Sequence, residues 1–343
     1  MSKIFLLDCT LRDGGYVNNW EFGKECISEC ASVLEKSSVE IVELGMIRKN
    51  NDNHERSVFS DMSDFGYLLH LKGNAIFSAM IEGNEPELNF PVSKLKTSKE
   101  SGVDLIRVCT WKRLMKEHID YCKEIAELGY KISIQPTAID QYSDEEFIAL
   151  CKLANTFNPF SLYLVDTWGT QTSKQIVHYA KIADSYLKKS IKLGYHGHNN
   201  KMQAINCVEA LINLDLNRDL CFDSSVMGMG RGPGNLQTEV LMDFLNKLDL
   251  GKKYDVNGPL HLYNKYISNF YEQFGWGYSM YHFISSCNSL PQDFATYFKD
   301  NNYTIEEFIV FINSLSQKEK VVFNKDFAKR RLEELNIGVC GGE

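Results

Sequence analysis

The sequence predicts an α/β fold, a TIM (β/α)8 barrel with an all-helical C-terminal extension, and three observations carry the prediction. Eight short β-rich runs alternate with helix-patterned stretches, polar or glycine-rich segments follow the strands, and beyond Leu250 no convincing strand remains. The chain has 343 residues. A barrel takes about 250, so one catalytic domain over residues 1–250 and a helical domain over 251–343 are expected.

The strand runs are Ile4–Asp8, Val39–Leu44, Ala75–Ile81, Leu105–Thr110, Lys131–Pro136, Leu162–Val165, Lys192–His198 and Leu220–Ser225. Helical periodicity fills the stretches between, as in Glu25–Lys36, Met115–Leu128, Ser143–Asn155, Lys174–Lys188 and Lys201–Leu214. The segments after the strands read RDGG, IRKNND, DTWGT, HGHNN and MGMGRGPGN. Polar chemistry at the C-terminal ends of eight strands is the barrel pattern; a doubly wound open sheet suits six or seven strands better.

Past Pro259 four aromatic-rich stretches look helical: LHLYNKYISNFYEQF, YSMYHFISSCNSL, TIEEFIVFINSL and FAKRRLEELN. Thr304 followed by Glu307 fits a capping box. The aromatics of this tail suit interhelix packing, with a partner surface as the alternative.

Composition narrows the function. A net charge of −8 argues against nucleic acid, which needs a concentrated basic surface. No apolar run approaches the roughly 20 residues that span a bilayer, and MSKIFLLDCTLRDGG lacks a signal-peptide pattern, so a cytoplasmic protein is expected. The ten cysteines, from Cys9 to Cys340, form no C-x-x-C pair and mostly sit in apolar runs as small hydrophobes.

Three motifs carry chemistry. In His196-Gly197-His198 the two imidazoles lie at i and i+2 of a strand end and face one side, a half-site for a divalent ion or simply two loop histidines. In Leu7–Gly15 the carboxylate of Asp13 offers a hard oxygen ligand suited, with imidazole, to Mg2+, Mn2+ or Zn2+, and Arg12 offers a fixed positive charge. A surface ion pair between the two is the alternative. Met227–Asn235, with Arg231 in it, is a glycine-rich loop after strand eight, suited to anion binding or to ordinary turns.

Together the T-L-R-D-G, H-G-H-N-N and G-x-G…G-N motifs resemble the metal-dependent aldolase and acyl-CoA lyase superfamily related to HMG-CoA lyase. Glu43 in Val42–Gly45 matches its acidic strand-two end, and the chain is most similar to the 4-hydroxy-2-oxovalerate aldolase branch. The resemblance covers residues 3–245 and reaches Gly277–Tyr281. It implies Asp13, His196 and His198 as metal ligands, Asn235 as a fourth, Mn2+ or Mg2+ as the ion, and Arg12 as the residue that stabilises an enolate.

One departure stands out. Where pyruvate-releasing aldolases place a histidine base, this chain has Tyr16, whose ordinary pKa near 10 is too high for an easy base at neutral pH. Tyr16, a metal-bound water and Glu43 are therefore the candidate bases, and Arg107, Asp166, Thr167 and Arg231 the candidate substrate contacts.

The expected function is a metal-dependent aldolase acting on a small 2-oxo acid through a pyruvate-type enolate. An acyl-CoA-dependent Claisen-type synthase and a non-catalytic barrel scaffold are the alternatives. Homo-oligomerisation and, by analogy with related aldolases, a dehydrogenase partner are the expected associations; neither a nucleic acid nor a membrane is.

Overall fold

The computed structural model describes residues 2–49, 51, 53–83 and 90–338. Asn50, Asp52 and Cys340, each noted in the sequence, lie outside the described residues.

Eight parallel strands close on themselves: β1 (Ile4–Asp8), β2 (Ile41–Ile47), β3 (Ile76–Glu82), β4 (Leu105–Thr110), β5 (Lys131–Pro136), β6 (Ser161–Asp166), β7 (Lys192–Gly197) and β8 (Leu220–Ser224). Closure is made by β1, which pairs with β2 at Leu7↔Ile41 and with β8 from Ile4↔Leu220 to Asp8↔Ser224. An open doubly wound sheet is thereby excluded. A two-residue strand, Val58–Phe59, extends the far end of β2.

The alternation along each strand sorts side chains between two compartments. Even-phase residues such as Leu6, Val42, Ile106, Leu164 and Phe222 pack outward against the helices in the main hydrophobic cluster. Inward residues fill the barrel in layers. Leu7, Ile41, Leu105, Tyr163 and Cys221 make its apolar base. Above them lie Glu43, Arg107 and Asp223, and above those the mouth.

The helices Lys24–Lys36, Met115–Glu127, Asp144–Ala154, Ser173–Tyr186, Ala204–Ile212 and Thr238–Lys247 surround the sheet. Two start in capping boxes, Ser143 with Glu146 and Thr172 with Gln175. The β2–β3 connection instead holds a 3-10 helix, Met62–Leu71.

The C-terminal region is helical, as expected, but its described residues hold one more helix than the sequence suggested. Asn257–Leu262 runs through a π-helical turn, Tyr263–Ile267, into Ser268–Phe274, and Met280–Cys287, Gln292–Asp300, Ile305–Asn313 and Lys325–Glu334 follow. The helix missed is Gln292–Asp300, which lacks a side-chain N-cap and follows a Leu-Pro break. Its Phe294, Ala295 and Phe298 bury one face nonetheless. Thr304 and Glu307 form the expected capping box.

The main cluster continues past the barrel through Tyr254, Leu262, Ile267 and Trp276, whereas Leu290, Phe294, Phe298, Phe308, Phe311 and Leu332 form a cluster of their own. Most of the tail's aromatics are therefore packing residues. The Phe298 ring packs tilted against Phe308, Phe311 and Tyr303, with centroids 4.6 to 5.0 Å apart. Phe298→Ala should cost about 3–5 kcal/mol in urea unfolding, the usual loss for a buried phenyl ring.

Asp8 ties β1 to the last barrel helix, accepting from the Thr238 hydroxyl (2.6 Å) and the Thr10 N–H (2.9 Å). Burial pushes its carboxyl up to about 6 despite these bonds. A raised carboxyl favours folding while protonated, so its contribution is complete below the unfolded value of 3.8 and is lost as pH rises through about 6. Asp8→Asn removes that titration. Between about pH 4 and pH 8 its unfolding free energy relative to wild type should rise by about 2–3 kcal/mol. A difference independent of pH would contradict the assignment.

Candidate metal centre

Arg107 is fully buried in the middle of the barrel. Its guanidinium donates to Glu43 Oε2 at 2.6 Å, to Gln135 Oε1 at 3.1 Å and to Asp223 Oδ2, and packs over the Tyr163 ring. A charge in this position is tolerable only when paired in this way. The layer fixes two further groups. Glu43 Oε2 also accepts from Arg12 Nε at 2.9 Å, and Asp223 Oδ2 also meets His196 Nδ1 at 3.0 Å. Burial works to raise Asp223, but Arg107 and His196 outweigh it and hold the carboxyl below its ordinary range. An ionised carboxylate only accepts, so His196 Nδ1 carries the proton and Nε2 keeps its lone pair.

The second element is the loop after β1. Cys9 accepts from the Asp13 N–H at 2.8 Å, closing a one-turn helix Thr10–Asp13 that turns Asp13 back over the mouth. The Trp20 indole donates to Arg12 O at 2.9 Å and pins the turn. The third element is the loop after β8, where Asn235 Nδ2 donates to Asp13 Oδ2 at 2.7 Å. Gly230 makes that approach possible: a Cβ there would lie 2.4 Å from Asn235 Nδ2 and 2.6 Å from Asp13 Oδ2.

One ligand atom from each of Asp13, His196 and His198 lies within 4.8 Å of the others, and all three residues are buried. The two imidazoles are perpendicular, with centroids 5.2 Å apart. Burial drives His198 down to about 3, so it is neutral and keeps a lone pair. Burial also works to raise Asp13, but Arg12, His198 and His196 together hold its carboxyl well below the ordinary range.

Three features fit a divalent cation. Asp13, Glu43 and Asp223 set three carboxylates against the two guanidiniums of Arg12 and Arg107, leaving one buried negative charge in this group. His198 Nδ1 and Asn235 Oδ1 are buried without a hydrogen-bond partner among the described residues. The donor set of one carboxylate and two imidazoles is that of a first-row or zinc site.

Above the trio lies a cavity of about 250 Å3. Of the residues singled out in the sequence, Arg12, Asp13, Tyr16, Thr167, His196, His198 and Arg231 line it. Glu43, Arg107, Asp166 and Asn235 stand behind its walls. Glu43, expected as a base, and Arg107, expected as a substrate contact, have no exposed side-chain surface and do not line the cavity. Asp166 instead accepts from the N–H groups of Thr170 and Gln171 at 2.9 and 3.1 Å, holding its own loop.

Sequence reasoning missed Asp223, Gln135, Glu82 and the outer wall. Asp223 carried a signal, a carboxylate on the inward phase of an apolar strand. The outer wall did not: it comes from Pro291, Asp293, Val321, Val322 and Phe323 of the C-terminal region, with Arg231 paired to Asp293 across the opening. A cavity of about 550 Å3 opens at the opposite end of the barrel, beside Ile4 and Leu220, but among the described residues no candidate ligand set converges there.

Comparison with known proteins places the chain in a family. A curated 4-hydroxy-2-oxovalerate aldolase of Marinomonas sp. (strain MWYL1) is 23% identical over 266 residues, 74% of this chain and 74% of its own. An oxaloacetate decarboxylase of Mycobacterium tuberculosis (strain ATCC 25618 / H37Rv) is 25% identical over 261 residues, 73% of this chain and 74% of its own. The crystal structure of hydroxymethylglutaryl-CoA lyase from Pseudomonas aeruginosa superposes with a TM-score of 0.62 at 14% identity, covering 80% of this chain and 94% of that one. The HMGL-like family model matches residues 3–262, and the chain belongs to the HMGL-like family of lyases and aldolases.

Proposed function

We propose that this protein is a divalent-metal-dependent carbon–carbon lyase, an aldolase that cleaves a 4-hydroxy-2-oxo acid or a similar 2-oxo acid. The observation that carries the reading is the convergence of Asp13, His196 and His198 on one wall of a cavity that also presents the Arg12 guanidinium. When bound, a Mn2+ or Mg2+ ion would supply Lewis acidity to the carboxylate and keto oxygens of the substrate.

The chain's own residues do the rest. Arg12, fixed by Glu43 and Asp13, presents a preorganised positive charge to the oxygen that becomes an enolate when the C–C bond breaks. Asp223 holds His196 in the tautomer that ligates. Asn235 supports Asp13 through Nδ2, and Oδ1 is the atom through which it would ligate.

The size of the cavity suits a small acid rather than a bulky ligand. Val321, Val322 and Phe323 suit a short apolar group on the distal half of the substrate. The names of both curated relatives support the reading, since cleavage of a 4-hydroxy-2-oxo acid and loss of CO2 from oxaloacetate leave the same three-carbon enolate. Among the described residues no helix is long and apolar enough to cross a membrane.

Exhaustive dialysis against a chelator should abolish cleavage of 4-hydroxy-2-oxovalerate, Mn2+ should restore it, and His196→Ala should remove it in either state. Turnover that survives complete metal removal, or full turnover in His196→Ala, would contradict the proposal.

A further inference from the structure

Tyr16 occupies the place of an expected base, yet burial and the adjacent Glu82 carboxylate push its hydroxyl well above the ordinary phenol range. It remains a phenol, and the proton of a substrate hydroxyl must end elsewhere. Its surroundings indicate where. Tyr16 Oη donates to Glu82 Oε1 at 2.7 Å, and Glu82 Oε2 accepts from Arg48 Nη2 at 2.8 Å. Glu82 ends β3 and Arg48 follows β2, so both come from the catalytic face of the barrel.

The phenol ring is held between the Trp20 ring, centroids 4.8 Å apart, and the Arg231 guanidinium at 5.7 Å. Arg48 in turn stacks on Trp20 at 4.1 Å. Tyr16 and Glu82 line the same cavity as Asp13, His196, His198 and Arg12. With its one proton directed at Glu82, Tyr16 Oη turns a lone pair toward a donor in the cavity. A fixed donor–acceptor pair of this kind is more than packing requires, because Trp20 and Arg231 already hold the ring.

We propose that Tyr16 and Glu82 form a proton relay for the C–C cleavage, with Glu82 as the proton acceptor and Arg48 as the residue that positions it. The relay rests on the lyase reading above. The C4 hydroxyl of the substrate gives its proton to Tyr16 Oη as the Tyr16 proton passes to Glu82. The freed O–H electron pair becomes the C=O of the departing aldehyde, and the C3–C4 bond breaks. Its electron pair forms the C2–C3 double bond of pyruvate enolate, whose oxygen faces Arg12. Reverse transfer from Glu82 through Tyr16 to C3 gives pyruvate, so the proton taken is the proton returned and no further reactant is needed.

Oxaloacetate provides the discriminating control, because losing CO2 leaves the same enolate without a hydroxyl proton to remove. The experiment measures single-turnover rates of aldehyde release from 4-hydroxy-2-oxovalerate and of CO2 release from oxaloacetate, bond-breaking steps that precede proton return to C3. It uses Mn2+-loaded wild type, Glu82→Gln and Tyr16→Phe, with Mn2+ affinity measured in each. In both variants the ratio of cleavage to decarboxylation should fall by about 100-fold or more, the usual contribution of a positioned acid–base group, while Mn2+ affinity is retained. Equal losses in the two reactions, or a ratio unchanged in either variant, would overturn the relay. If wild type turns over neither substrate, the lyase reading fails and the relay falls with it, an outcome distinct from an unchanged ratio.

Discussion

The pairing of Arg107 with Glu43 and Asp223 inside the barrel is the interaction on which the rest of the site depends. It sits on an apolar base formed by residues such as Leu7, Leu105 and Cys221 and beneath the mouth, in the layer where polar replaces apolar. Both carboxylates have a second partner pointing upward, Glu43 to Arg12 and Asp223 to His196. One buried guanidinium thus orients a cationic group and a metal-ligand candidate at once. Removing any member would leave a charge buried without its counterpart, which costs more than the pair contributes to stability. The network is better understood as a device that fixes geometry than as one that holds the barrel closed.

The barrel was largely legible because each strand is a local pattern. Ile4–Asp8, Leu105–Thr110 and Lys131–Pro136 begin and end where β-rich runs meet polar residues, and the other five strands shift by one to three residues at their ends. The convergence of the candidate trio was legible for a related reason. His196 and His198 sit on one strand phase, and strand ends in a barrel share one face, so Asp13 comes to them by topology alone.

What escaped the sequence depends on contacts between distant residues. Arg107 meets Asp223 across 116 positions. Nothing local marks Glu82 as the partner of Tyr16 or Arg48 as the partner of Glu82. The same holds for the outer wall: Val321 and Val322 remain exposed valines, and only the folded helical region brings them to the opening. Glu43 illustrates the converse. Its residue type fits a base, but its burial between two guanidiniums makes it a support for Arg12.

The most direct test of the account is calorimetric titration of Mn2+ into chelator-treated wild type, His196→Ala and Asp13→Asn. The account predicts one site per chain in wild type and, in each variant, a loss of affinity beyond the ~10–100-fold typical of outer-shell changes. Wild-type protein that binds no Mn2+, or variants that bind it as wild type does, would contradict the assignment of Asp13, His196 and His198 as the metal centre.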